Sequence, residues 1–65
     1  MIVIVNEKQV EVDEQTTVAA LLKSLGFPDR GIAVALDLSV LPRSGWATKL
    51  FDGARLEVVT AVQGG

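Results

Sequence analysis

The sequence ends in Gly64-Gly65, and the chemistry this pair can offer is that of a slim backbone carrying a carboxylate. Without Cβ atoms, successive glycines pass through a slot too narrow for any side chain. A carboxylate at Gly65 could then reach a buried site in a partner. A carboxylate is a poor electrophile. As an acyl-adenylate it acquires a good leaving group, which a sulfur nucleophile can displace to give a thiocarboxylate. A Gly-Gly end taken alone equally describes a frayed terminus, so its meaning depends on what delivers it.

Other groups with chemical potential are few. The sequence has no histidine and no cysteine. The commonest general base and the most nucleophilic side chain are both missing. Neither a Ser-His-Asp arrangement nor a thiolate zinc site can be built. Glu7, Glu11, Asp13 and Glu14 fall in a turn and on or just after a short strand, where solvated charge is the natural reading. Trp46 is expected to bury its ring under a short edge strand. Arg43 is expected to be solvated or to bond a nearby loop, with partner docking as the sharper alternative.

The formal charge of −2, with Arg30, Arg43, Lys49 and Arg55 scattered among acids, lacks the basic stripe of a nucleic-acid binder. The apolar runs are too short to cross a bilayer. No cationic start followed by a long apolar stretch marks a signal peptide, so neither nucleic acid nor membrane is an expected partner and the cytoplasm is the expected compartment. With 65 residues and no disulfide, one domain must fold on its apolar core alone. Nearly half the residues, 49%, are hydrophobic, which suits that task and leaves apolar side chains for partners.

The elements that would position Gly65 follow from periodicity. Met1 to Val5 is an apolar, β-branched run, Asn6-Glu7-Lys8 is a turn, and Gln9 to Val12 alternates as a half-buried strand. Thr16 or Thr17 can cap a helix. Val18, Leu21, Leu22 and Leu25 follow as one apolar stripe, and Gly26 and Pro28 end the helix. Gly31 to Leu36 is a third strand, Asp37 to Ser39 a turn, and Val40-Leu41 a short edge strand closed by Pro42. Ser44 to Leu50 reads as a loop with a helical turn. Asp52-Gly53 is a turn, and Arg55 to Val62 is the last strand.

The order β-β-α-β-β-β predicts an α+β fold, a mixed sheet of four to five strands with one main helix packed on one face. The expected arrangement is a ubiquitin-like β-grasp over residues 1–62, with 63–65 as a C-terminal tail. Its first and last strands lie parallel at the sheet centre, so the tail leaves from a rigid platform. On the face away from the helix, Ile2, Ile4, Ala33, Ala35, Val59 and Ala61 are expected to form a contiguous apolar docking patch leading into the tail.

The segments Val34-Ala35-Leu36-Asp37 and Val40-Leu41-Pro42-Arg43-Ser44-Gly45-Trp46, with Asp52-Gly53 and the Gly64-Gly65 end, resemble the ThiS family of thiamine-biosynthesis sulfur carriers. The resemblance covers the whole chain, and Pro42-Arg43-x-x-Trp46 with a terminal Gly-Gly is its most specific part. Gln63 stands where the family would be expected to place a varied, often small residue. The resemblance implies a carrier and co-substrate, with no catalysis and no bound cofactor of its own. An E1-like adenylyltransferase would use ATP and magnesium to adenylate Gly65, with Gln63 and Gly64 as the inserted tail. Sulfur from a cysteine desulfurase, directly or relayed, would give the thiocarboxylate, and thiazole synthase would take it for the thiazole ring. Other readings compatible with the residues are a molybdopterin-type carrier, a conjugated ubiquitin-like modifier, and an interaction module with an idle tail.

Overall fold

The computed structural model describes residues 1–60. The expected tail at 63–65, the end of the last strand at Val62 and the patch position Ala61 lie outside the described residues.

The β-branched run becomes strand β1, Ile2–Val5, which pairs antiparallel with β2, Lys8–Glu11. The turn between them is only Asn6-Glu7, because Lys8 already pairs with Val5. Both turn residues have positive φ, 49° and 69°, the backbone hand that matches the twist of a two-residue hairpin. Helix α1, Val18–Ser24, starts at Thr17, whose side chain accepts from the backbone N–H of Ala20. Val18, Leu21 and Leu22 are buried. Leu25, expected on the same stripe, is instead the helix C-cap and 42% exposed, because the chain turns away at Gly26, whose φ of 85° suits glycine.

Strand β3, Ile32–Leu36, and β4, Ser39–Leu41, form a second hairpin. Its turn, Asp37-Leu38, repeats the first, with φ of 49° and 72°. A 3-10 turn at Arg43–Gly45 follows, and β5, Arg55–Thr60, completes a five-stranded sheet in the order β2-β1-β5-β3-β4. β5 is therefore central, parallel to β1 and antiparallel to β3. This is the β-grasp arrangement expected from the element order.

One continuous core joins the helix to one face of the sheet. Val3 and Val5 of β1, Val34 of β3, and Leu56 and Val58 of β5 pack with Val18, Leu21, Leu22, Trp46, Leu50 and Ala54. The loop carrying Trp46 straps the helix start. Val18 N–H donates to the Thr48 carbonyl at 3.0 Å and Ala19 N–H to the Trp46 carbonyl at 2.9 Å. These bonds satisfy amides that a helix leaves open in its first turn.

Candidate functional site

The strand that precedes the Gly-Gly end is held from both sides by strands and by the two hairpin turns. Successive residues of a strand point their amides to opposite edges. In β5 the even-numbered residues face β1: Ile4 N–H donates to the Ala54 carbonyl at 2.8 Å and Asn6 N–H to the Leu56 carbonyl at 2.9 Å. The odd-numbered residues face β3, which pairs with β5 along its whole described length, from Leu36 opposite Leu56 to Ile32 opposite Thr60.

The pairing on the β1 side is shorter, and its last residue pair is Val5 with Leu56. Beyond it the Asn6 side chain takes over. Its amide Nδ2 donates to the Val58 carbonyl at 3.1 Å, and its Oδ1 accepts from the Val58 N–H at 2.8 Å. At the other end of β5, Asp37 does related work. Its backbone N–H donates to the Arg55 carbonyl at 2.8 Å, and its Oδ1 accepts from the Arg55 N–H at 3.0 Å. Sequence reasoning placed both residues in turns and missed their grip on β5. The available signal was an Asn and an Asp opening short hairpin turns, where such side chains commonly bond backbone.

The face of the sheet away from the helix carries the expected apolar positions, but not as one patch. Ala33 pairs with Val59, and Ala35 lies opposite Glu57. Ile2 and Ile4 lie on β1, where Ile4 is beside Arg55. Because β1 and β5 run parallel, Ile2 and Ile4 sit near the start of β5 while Val59 sits near its end. The charged residues Arg55 and Glu57 share this face and stand between the two groups. The expected contiguity therefore does not hold. On the far side of Ala35 the face gains Val40, its partner on β4, which was expected only as part of an edge strand. Val59 is 64% exposed and Val40 82%.

The residues most specific to the resemblance sit elsewhere and serve the core. Trp46 is buried, as its size predicted. Arg43 is exposed, with its guanidinium 5.2 Å from the Trp46 ring centroid, a cation–π distance. The same guanidinium donates to the Asp29 carbonyl, tying the loop after the helix to the Trp46 strap. Gly45 allows close approach, since a Cβ there would lie 2.9 Å from the Leu41 Cδ1. A surface cleft of about 400 Å³ opens beside this cluster, lined by Leu22, Lys23, Phe27, Pro28, Arg43 and Trp46 among others, and takes no residue from β5. Among the described residues, no group of three or more acidic side chains is gathered to hold a metal ion. No helix among them is long and apolar enough to cross a membrane.

Known proteins are similar to this chain in sequence and in fold. A crystal structure of a thiamine biosynthesis protein (ThiS) from Geobacter metallireducens matches with a TM-score of 0.80 and 33% identity, covering all of both chains. A thiazole synthase from Paramagnetospirillum magneticum is 35% identical over 66 residues. That match takes in the whole of this chain, which spans only 20% of the relative's length. The ThiS family model matches residues 2–65, from the first strand through both terminal glycines. A fold built on a central last strand and a family match along its whole length lead to one conclusion: the chain belongs to the ThiS family.

Proposed function

We propose that this chain is the sulfur carrier of a thiamine-forming system and that Gly65 bears the cargo as a C-terminal thiocarboxylate. The observation carrying this reading is the family match through residue 65, which includes the Gly64-Gly65 end. The chain is a protein co-substrate in this reading. Its lack of histidine and cysteine suits a role in which partners supply the chemistry.

In the proposed sequence, the Gly65 carboxylate attacks the α-phosphorus of ATP in an E1-like adenylyltransferase, and pyrophosphate leaves. Magnesium and ATP belong to that enzyme. The terminal sulfur of a persulfide, charged by a cysteine desulfurase, then attacks the acyl carbon and AMP leaves. A thiol cleaves the resulting acyl disulfide, giving the thiocarboxylate and an oxidised thiol pair. Gln63 and Gly64 form the slim approach to Gly65. The acceptor is a thiazole synthase. Support for that partner comes from the Paramagnetospirillum thiazole synthase, in which a stretch related to this whole chain is part of the same polypeptide. These are cytoplasmic partners.

Intact mass tests the reading. After incubation with ATP, magnesium, an activating enzyme and a sulfur source, the chain should gain the difference between one sulfur and one oxygen. Deleting Gly65 should abolish the gain and leave the thermal transition in place. No gain with an enzyme active on its own carrier would exclude the function. The Val59 side of the open face is the proposed docking surface, joined by Val40, with Arg43 outside it. Val59→Asp should weaken binding of the activating enzyme by roughly tenfold, as loss of a central apolar contact does; an unchanged Kd would remove this surface from the docking site.

A further inference from the structure

We infer that the cleft between the helix end and the Trp46 strap docks an acidic segment of a partner protein, one that presents a large apolar side chain flanked by carboxylates. This is a second surface, on the helix side of the sheet, and it does not depend on the chemistry at Gly65. Its walls are fixed at three points. Phe27 N–H donates to the Leu22 carbonyl at 3.0 Å and folds the chain back against the helix. Ala19 N–H holds the Trp46 carbonyl. Arg43 joins the two walls, donating to the Asp29 carbonyl while lying over the Trp46 ring. The cleft is therefore preformed, which spares a partner the cost of ordering it. Its floor is apolar, with Leu22, Phe27, Pro28 and Trp46, and its volume of about 400 Å³ suits a compact apolar group.

The fold segregates charge that the sequence scatters. A neighbouring cleft of about 240 Å³ shares Asp29, Arg43 and Trp46 and adds Arg30. Lys23, Arg30 and Arg43, three of the six cations, thus gather here with one of the eight acids, Asp29. The rest of the chain carries three cations and seven acids. In a chain of net charge −2, this is the end that draws a negative partner. The Arg43 guanidinium has five donors, of which the bond to Asp29 uses one. Lys23 is exposed on the rim. An apolar floor under a cationic rim matches an apolar side chain with carboxylates beside it. Among the described residues no charged side chain is buried to enclose a free small acid, so a segment anchored by a larger body is the better match.

Trp46 is the only tryptophan and the chain has no tyrosine, so its emission reports the cleft directly. The probe is a capped tripeptide of aspartate, phenylalanine and aspartate, titrated into the full chain at low salt. A saturable change in Trp46 emission is expected, with amide shifts at Leu22 and Phe27 and none at Val59. Replacing both aspartates of the peptide by asparagine should weaken binding by about 3- to 10-fold, the scale of two exposed ion pairs. Lys23→Glu should weaken binding of the aspartate peptide to a similar extent and leave that of the asparagine peptide unchanged. This variant leaves the Arg43 clasp untouched, and its thermal transition should stay in place. Equal binding of the two peptides, shifts at Val59 instead of Leu22 and Phe27, or no saturable change would each overturn the proposal. Phenylacetate binding as tightly as the tripeptide would make a free small acid the occupant and overturn the choice of a protein segment. Emission that shifts with the chain's own concentration, with a doubled mass in sedimentation, would make a second copy the occupant and overturn it as well.

Discussion

The two hairpin turns of this protein have the same length and the same backbone hand, yet they hold the central strand differently. Asn6-Glu7 and Asp37-Leu38 both place two residues at positive φ. Each uses its first side chain to bond β5. Because β1 runs parallel to β5 and β3 antiparallel, equivalent turns land at opposite ends of the strand. One therefore grips β5 near its entry and the other near its exit. The side chain at each follows the local need: an acceptor alone at Arg55, a donor and an acceptor at Val58. Identical local geometry thus acquires different roles through topology.

Three substitutions sharpen or break this comparison. The largest effect is expected from Leu56→Ala, midway between the two grips and fully buried. Removing it should cost about 2–5 kcal/mol, as large-to-small core changes do. Both ends of β5 would loosen together in amide exchange, and a response confined to one end would show that the turns act independently of the core. Asn6→Asp comes next. It keeps the acceptor for the Val58 N–H but loses the donor to its carbonyl, so denaturant unfolding should show a loss of about 1–2 kcal/mol, one hydrogen bond and its unanswered partner. The smallest effect is expected from Asp37→Asn. Its Oδ1 can still accept from the Arg55 N–H, and stability should change by less than about 0.5 kcal/mol. A loss as large as that of Asn6→Asp would mean that the charge of Asp37, and not its acceptor geometry, holds the entry of β5.

How much of this was legible follows the reach of each interaction. The helix from Thr17 onward, the apolar stripe through Leu22 and the alternation of β5 are short-range patterns, and each stands in the structure. Leu25 broke the stripe because helix termination at Gly26 intervened before its turn could be buried. Thr17 could be named as a possible cap because its partner is three residues away. The grip of Asn6 on Val58 spans 52 residues, and nothing in the turn's own sequence reveals which strand it will meet. The open face shows the same limit. Alternation assigned Ile2, Ile4, Ala33, Ala35 and Val59 to one side and put Glu57 with Val59, but only the register reveals that Arg55 stands beside Ile4 and Glu57 beside Ala35. Pro42-Arg43-x-x-Trp46, the most specific motif in the sequence, proves to be a clasp over the core, with Arg43 against Trp46 and the Asp29 carbonyl. Specificity of a motif for a family does not by itself make its residues part of the chemistry.

The place of β5 in the sheet also bears on how the protein is made. β1 and β3 are not neighbours in the sheet until β5 enters between them. A nascent chain lacking β5 has a helix and two hairpins but no shared centre. The sheet can close only once β5 has been made, because the contact that joins its two halves is also among the most distant in sequence. A product stalled before β5 would lack the strand that unites the body. A closed sheet therefore reports that the chain has been made through β5.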